Sequence, residues 1–361
     1  MKNYTDIIYE IFIFTRKAQS FSMNDYLSIK EVKQLPVNSE FKVAGIISRL
    51  NRRRDRNNNP FWDLTLSDKT GDLDGKVWYL AVWWNSSQEN EKFPIDPDNC
   101  DLNFEGASVC IVGRIAEFKD QLQYNFESVY YLNQNDFPPE NFTKHSPLSL
   151  DSLAYSFRNL IESIQYPPLR EFVNNIFFKH NLWDKFQSWP AAASIHHAYT
   201  HGLLEHSVSV ALGALDLAKH YSEFGIPLNT DLITAGALLH DIGKTEVYSP
   251  MPSPSMNLAG NVIDHIAIGH HIFMKFAELE KLDDDITMAI AHIILSHHGR
   301  REFGSPVLPA TPEAMIVSAA DDIDFKLSFW KTQIDSLVPN SELTDFLPMI
   351  ERKLWKGIRQ R

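Results

Sequence analysis

Twelve of the fourteen histidines fall between His196 and His298, and several have a carboxylate beside them. In chain order the stations are His206, the pair His240-Asp241, His265, the pair His297-His298, and Asp321. Each lies on or at the end of a stretch whose other residues are apolar at helical spacing, so these polar groups read as core positions. A buried imidazole or carboxylate is costly unless it is paired or bound to a cation. A lone buried histidine is ordinarily a hydrogen-bonded core residue, but five stations in one helical region point to a metal centre. Imidazole nitrogen with carboxylate oxygen suits Mn, Fe, Co, Ni or Zn. An all-carboxylate set would favour Mg or Ca, and a cysteine set structural zinc.

The second half of the chain supplies the helices that would carry this set. Residues 202–220 place Leu203, His206, Val210, Gly213 and Leu217 on one face. Asn229-Thr230-Asp231 caps a helix predicted to run to Asp241, with Gly243 as its terminating glycine. Thr311-Pro312-Glu313 is a helix start, and Asp321 follows the small pair Ala319-Ala320, which permits close helix approach. Residues 148–335 therefore read as one all-α domain. Residues 336–361 read as a basic C-terminal tail or helix, with Arg352, Lys353, Lys356, Arg359 and Arg361 beside Trp355.

The first half reads as β. Strands are predicted over residues 41–48, 61–67, 75–80, 107–115 and 121–126, from alternation of apolar and polar residues and from turn chemistry such as Asp68-Lys69-Thr70-Gly71. Five short strands in about a hundred residues fit a small closed barrel, for which the five-stranded OB-fold is the commonest solution. The barrel is expected over 23–135, and the Pro- and Asn-rich segment 136–147 is the linker. Residues 1–22 are expected to be an N-terminal extension, disordered, or an overcalled start ahead of Met23. The fold class is thus multidomain: an N-terminal all-β OB-fold barrel and a C-terminal all-α helical bundle.

Composition bounds the partners. The 361 residues carry 34 Lys+Arg against 46 Asp+Glu, a formal charge of −12, so any polyanion must be met by a local basic patch or by cations. Such a patch exists: Arg49, Arg52, Arg53, Arg54 and Arg56 crowd the connection between the first two strands, just before Phe61-Trp62. In an OB-fold that connection is read as a loop over the binding face. A basic loop beside exposed aromatics combines phosphate tracking with base stacking. Trp78, Trp83, Trp84 and Tyr124 are read as core before they are read as stacking platforms. Two cysteines, Cys100 and Cys110, make no disulfide framework and fit a reducing cytoplasm. The longest apolar run near the start, Ile7 to Phe14, is too short to cross a membrane.

The order His206, His240-Asp241, Asp321 resembles the HD superfamily of metal-dependent phosphohydrolases. The wording His196-His197-Ala198-Tyr199, Gly202-Leu203-Leu204-Glu205-His206, Leu238-Leu239-His240-Asp241-Ile242-Gly243-Lys244 and Ile294-Leu295-Ser296-His297-His298-Gly299 narrows it. With Gly304-Ser305-Pro306 and Ala320-Asp321-Asp322-Ile323-Asp324, it resembles the YhaM-type 3′–5′ exoribonucleases, which join an OB-fold to an HD domain. The resemblance spans roughly residues 25–330. It departs at His201, more often glycine, at Asp322, more often asparagine, and at residues 1–22, which have no counterpart.

The resemblance implies two divalent metal ions, Mn first, with Co, Fe, Ni or Zn as alternatives. His206, His240, Asp241 and Asp321 would hold one. Asp241 would bridge to a second held by His265 and His297, with His298 as a further ligand or phosphate contact. Lys244 would neutralise charge at the phosphate, and His196 or His197 would contact it or protonate the leaving oxygen. Arg52, Arg53, Arg54, Arg56, Phe61 and Trp62 would bind the strand. The implied function is release of mononucleotides from single-stranded RNA, with single-stranded DNA a second candidate and homo-oligomerisation left open. Two competing readings are a phosphohydrolase acting on a nucleotide or cyclic dinucleotide, and a non-catalytic nucleic-acid-binding accessory protein.

Overall fold

The structure, a computed structural model, describes residues 26–88, 91–118, 121–193, 197–249, 254–337 and 341–358. The expected extension 1–22, His196, Arg359 and Arg361 lie outside the described residues. The chain divides into two compact units, one ending at Phe142 and the other starting at Thr143. Among the described residues no helix is long and apolar enough to cross a membrane.

In the first unit a short helix, α1 (Ile29–Val32), is closed by a Ser28/Glu31 capping box. Its Ile29 amide donates to Asp68 Oδ2 at 2.8 Å, which ties it to the sheet. The sheet comprises β1 (Glu40–Arg54), β2 (Pro60–Asp68), β3 (Gly71–Gln88), β4 (Glu91–Ile95), β5 (Ser108–Phe118) and β6 (Gln121–Leu132). β1 pairs with β2, β2 with β3, β3 in parallel with β6, β6 with β5, and β5 back with β1. Leaving out β4, this closed circuit is the OB-fold order. Alternation decides the faces: Trp62, Leu64 and Leu66 point into a core with Val43, Ile47, Val77, Ile111 and Phe126, while Asp63 and Thr65 lie between them.

Two local expectations are corrected. The arginine stretch is not a loop, because β1 runs to Arg54 and forms a continuous ladder with β2, Arg52 opposite Trp62 and Arg53 opposite Phe61. The turn is confined to residues 55–59, where Asp55 Oδ1 accepts the amides of Asn57 and Asn59, both at 2.8 Å. Between the predicted strands 75–80 and 107–115, where no strand was expected, β4 forms and pairs with the far end of β3.

The second unit contains α2 (Leu150–Ser163), α3 (Pro167–Asn174), α4 (Trp183–Ser188), α5 (Gly202–Glu223), α6 (Thr230–Leu239), α7 (Lys244–Val247), α8 (Leu258–Val262), α9 (His265–Glu280), α10 (Asp284–Ser296) and α11 (Pro312–Asp335). α5 lies against α6 and α11, α6 against α10 and α11, and α9 against α10. Ala211, Ala214, Ala235, Ala237, Ala314 and Ala320 are buried at these crossings, so the backbones come close. Thr311 caps α11 through the Ala314 amide, with Pro312 in the first turn. After α11 the chain returns in two antiparallel bridges, Leu343 with Trp355 and Leu347 with Arg352, and Trp330 Nε1 donates to Trp355 O. Helical structure there, among the described residues, is limited to the 3-10 turn Pro348–Ile350.

Candidate metal centre

Five elements meet at Asp241. His206 comes from the second turn of α5, His240 and Asp241 from the turn after α6, His265 from the first residue of α9, His297 and His298 from just beyond α10, and Asp321 from α11. The helix predicted to run through Asp241 stops at Leu239, and Gly243 is not its left-handed terminator, since its φ is −66°. Its real constraint is contact: a Cβ there would lie 2.0 Å from His265 O and 2.6 Å from Gly269 N. Glycine at 243 therefore lets α9 approach closely enough to bring His265 to Asp241.

The distances suit cation ligands. His206 Nε2 stands 3.1 Å from His240 Nε2, 3.1 Å from Asp241 Oδ2 and 3.2 Å from Asp321 Oδ1. His240 Nε2 is 3.3 Å from Asp241 Oδ2. On the other side, Asp241 Oδ1 faces His265 Nε2 at 3.5 Å and His297 Nε2 at 3.6 Å. With metal–nitrogen bonds near 2.1 Å, neighbouring ligand atoms fall about 3.0–3.4 Å apart for right-angled to tetrahedral geometry. The two oxygens of Asp241 thus face different histidine sets. His298 joins His265 and His297 in a further group whose ligand atoms lie within 4.8 Å of one another.

Each imidazole is aimed by its other nitrogen. Nδ1 of His240 bonds Ala237 O at 2.7 Å, that of His297 Ile294 O at 2.8 Å, and that of His298 Phe303 O at 2.6 Å. His265 Nδ1 meets Asp264 Oδ1, and His206 Nδ1 meets Asp324 Oδ2, both at 2.8 Å. A carbonyl or carboxylate oxygen accepts, so Nδ1 carries the hydrogen. In the neutral ring Nε2 then presents a lone pair inward. Asp241 Oδ1, His265 Nε2 and His297 Nε2 are buried with no hydrogen-bond partner. Three orphaned polar atoms facing one point in a wall of oriented imidazoles fit a bound cation.

Electrostatics agrees. Burial pushes His297 well below the ordinary histidine range, and neighbouring His298 and His240 add to it, which keeps the ring neutral. Burial also opposes charge on Asp241, but Lys244, His240 and His206 outweigh it and hold the carboxyl well below its usual range. Lys244 Nζ lies 2.5 Å from Asp241 Oδ2, and this carboxylate keeps the buried ammonium charged against desolvation. Burial disfavours charge on His206 too, yet Asp241, Asp321 and Asp324 raise its proton affinity well above the ordinary value.

The other sequence candidates are placed differently. His197 is buried with both ring nitrogens bonded, Nδ1 to Tyr199 Oη at 2.7 Å and Nε2 to Asp324 Oδ2 at 2.9 Å. Trp62 is in the barrel core, and Phe61 is buried against Trp78, with ring centroids 5.0 Å apart. Neither is the exposed stacking surface expected of it. Arg49, Arg52 and Arg53 pair with Asp74, Asp98 and Asp63, and Arg54 donates to Asn58 O. Arg56 is exposed at the turn.

Sequence reasoning missed Asp264 and Asp324, the carboxylates behind His265 and His206. Asp324 was detectable as the residue one helical turn beyond Asp321. Asp264 sits at φ 77° and ψ 152°, a strained backbone that places its carboxylate on both His265 Nδ1 and the Ile266 amide.

Residues 203–326 match the HD domain family. Among solved structures, the second OB-fold domain of replication protein A from Methanococcus maripaludis is similar. It is 13% identical, with 29% of this chain and 93% of that chain covered and a TM-score of 0.20. The barrel assignment rests on the strand order itself. The chain is an OB-type barrel followed by a helical unit that carries an HD domain.

Proposed function

We propose that this protein is a metal-dependent phosphodiesterase acting on single-stranded nucleic acid, and within that class a 3′–5′ exoribonuclease releasing mononucleotides. The observation that carries the reading is the ring of imidazoles whose Nδ1 atoms are tied to oxygens while their Nε2 atoms converge on Asp241 and Asp321. His206, His240, Asp241 and Asp321 would hold one divalent cation; Asp241, His265, His297 and His298 would hold a second. Bound there, two such ions supply Lewis acidity, lowering the pKa of water and screening the phosphoryl oxygens.

The chain's own groups do the rest. Asp241 serves both positions with separate oxygens, and neutral His297 keeps its lone pair available at physiological pH. Lys244, charged and buried against Asp241, adds a fixed positive pole toward which negative charge on the attacked phosphoryl group can develop. With both nitrogens of His197 engaged, the role of contacting phosphate or protonating the leaving oxygen falls to His196. On the barrel, Arg54 at the end of the β1–β2 ladder and Arg56 in the turn would meet the backbone of the nucleic-acid strand, with Arg52 and Arg53 exchanging Asp98 and Asp63 for phosphate. Phe61 is packed with Trp78, with Lys76 over both rings, so Lys76 adds a cation beside them.

The test uses 5′-labelled RNA and DNA oligomers with Mn²⁺ or chelator. A ladder shortening from the 3′ end of RNA, abolished by chelator and by Asp241→Ala, is the expected result. An inert oligomer alongside a hydrolysed mononucleotide or cyclic dinucleotide would replace it with the small-substrate reading.

A further inference from the structure

Asp324 lies outside the two cation positions described above; with His197 and His206 it forms a further group whose ligand atoms lie within 4.8 Å of one another, and those atoms are already joined at hydrogen-bond length. It lies one turn beyond Asp321 on α11, and the His206 ring is held between the two: Asp321 Oδ1 faces Nε2 at 3.2 Å and Asp324 Oδ2 faces Nδ1 at 2.8 Å. Asp324 Oδ1 accepts from Ser209 Oγ at 2.5 Å, so α5 grips both oxygens of this one carboxylate through residues a turn apart. Asp322, between the two aspartates, points elsewhere and pairs with Lys326.

The same Oδ2 meets His197 Nε2 at 2.9 Å. His197 Nδ1 meets Tyr199 Oη at 2.7 Å, and that hydroxyl donates to Glu205 Oε2 at 2.9 Å. The chain of bonds returns to α5 one residue before His206. It also crosses a turn whose backbone is forced: His197 and His201 have φ of 48° and 69°, and a Cβ on Gly202 would lie 1.9 Å from His197 O. A turn built at that cost is held by its bonds, and Asp324 is where they end.

We propose that Asp324 is a positioning residue for the cation held by His206. It takes no metal itself; it fixes the ring so that Nε2 points at Asp241 and Asp321. Through His197 and Tyr199 it links cation retention to the 197–202 turn. His197 then serves position rather than substrate contact. This rests on the metal-centre reading above, and its test reads binding with no substrate present.

Mn²⁺ binding to the metal-stripped full-length protein is measured by titration calorimetry, with circular dichroism as the fold control. Asp324→Ala is expected to weaken binding by about 10–100-fold, as loss of an outer partner does in other metal sites. Asp324→Asn keeps an acceptor oxygen for His206 and recovers most of the loss, while Asp322→Asn leaves binding unchanged. Tyr199→Phe and the solvent-side Ser209→Ala give smaller losses, and these two decide the matter should Asp324→Ala fail to fold. Wild-type affinity in a folded Asp324→Ala, an Asn variant as weak as the Ala variant, or no loss in Tyr199→Phe and Ser209→Ala overturns the proposal. A wild type that binds Mn²⁺ but hydrolyses no phosphodiester overturns the proposed function and leaves this assignment standing. A wild type that binds no Mn²⁺ overturns both.

Discussion

Asp241 is where the two histidine sets meet, because its two oxygens face different imidazoles. Asp241→Ala is expected to lower kcat by about a thousandfold or more and, because it leaves Lys244 buried without its carboxylate, to lower the melting temperature as well. His206 sets a pH dependence. Its proton affinity is raised, and a cation at Nε2 must displace that proton, so Mn²⁺ affinity falls as pH is lowered. Calorimetry in buffers of different ionisation enthalpy should show protons released on binding, and pH-independent binding would contradict it. In the barrel, burial pushes the Cys110 thiol up to about 12, so it should resist alkylation at neutral pH until the protein is unfolded. Residue types and order made His206, His240, Asp241, His265, His297, His298 and Asp321 visible in sequence, because side-chain donors betray themselves by identity. The backbone oxygens of Ala237, Ile294 and Phe303, which aim three of the rings, have no residue signature and emerge only in three dimensions.

Among the elements, helix starts were the most legible feature, since caps are written in side chains: Asn229 and Thr311 both accept the amides expected of them. Endings were less so. Gly243 looked like a helix terminator and is instead the flat spot against which α9 rests. Gly243→Ala should push His265 away from Asp241, weakening the proposed second cation position so that fewer Mn²⁺ ions bind per chain than in the wild type, and lowering the melting temperature. Wild-type stoichiometry retained would show that α9 yields without cost. The β1–β2 ladder was misread for a related reason. A run of arginines reads as loop, but each of Arg49, Arg52 and Arg53 finds a carboxylate, so charge is no barrier to a strand.

Among the described residues the main apolar cores fall one in each unit, which predicts two separable stabilities. A cation that binds only the folded helical unit stabilises that unit by about 2.7 kcal/mol at a hundredfold excess over Kd. Chelator should therefore shift one calorimetric transition and leave the barrel's unmoved; equal shifts in both would refute independent cores. The alternation and helical periodicity revealed both architectures because each depends on local pattern. What the sequence could not convey was how five segments spread over more than a hundred residues meet at one carboxylate. That meeting has a consequence for biosynthesis. Asp321 and Asp324 lie on α11, the last of these five segments in chain order, so a polypeptide synthesised only through His298 has every histidine of the set and no closed cage. Until α11 docks, His206 Nε2 lacks the Asp321 carboxylate that faces it and His206 Nδ1 lacks Asp324.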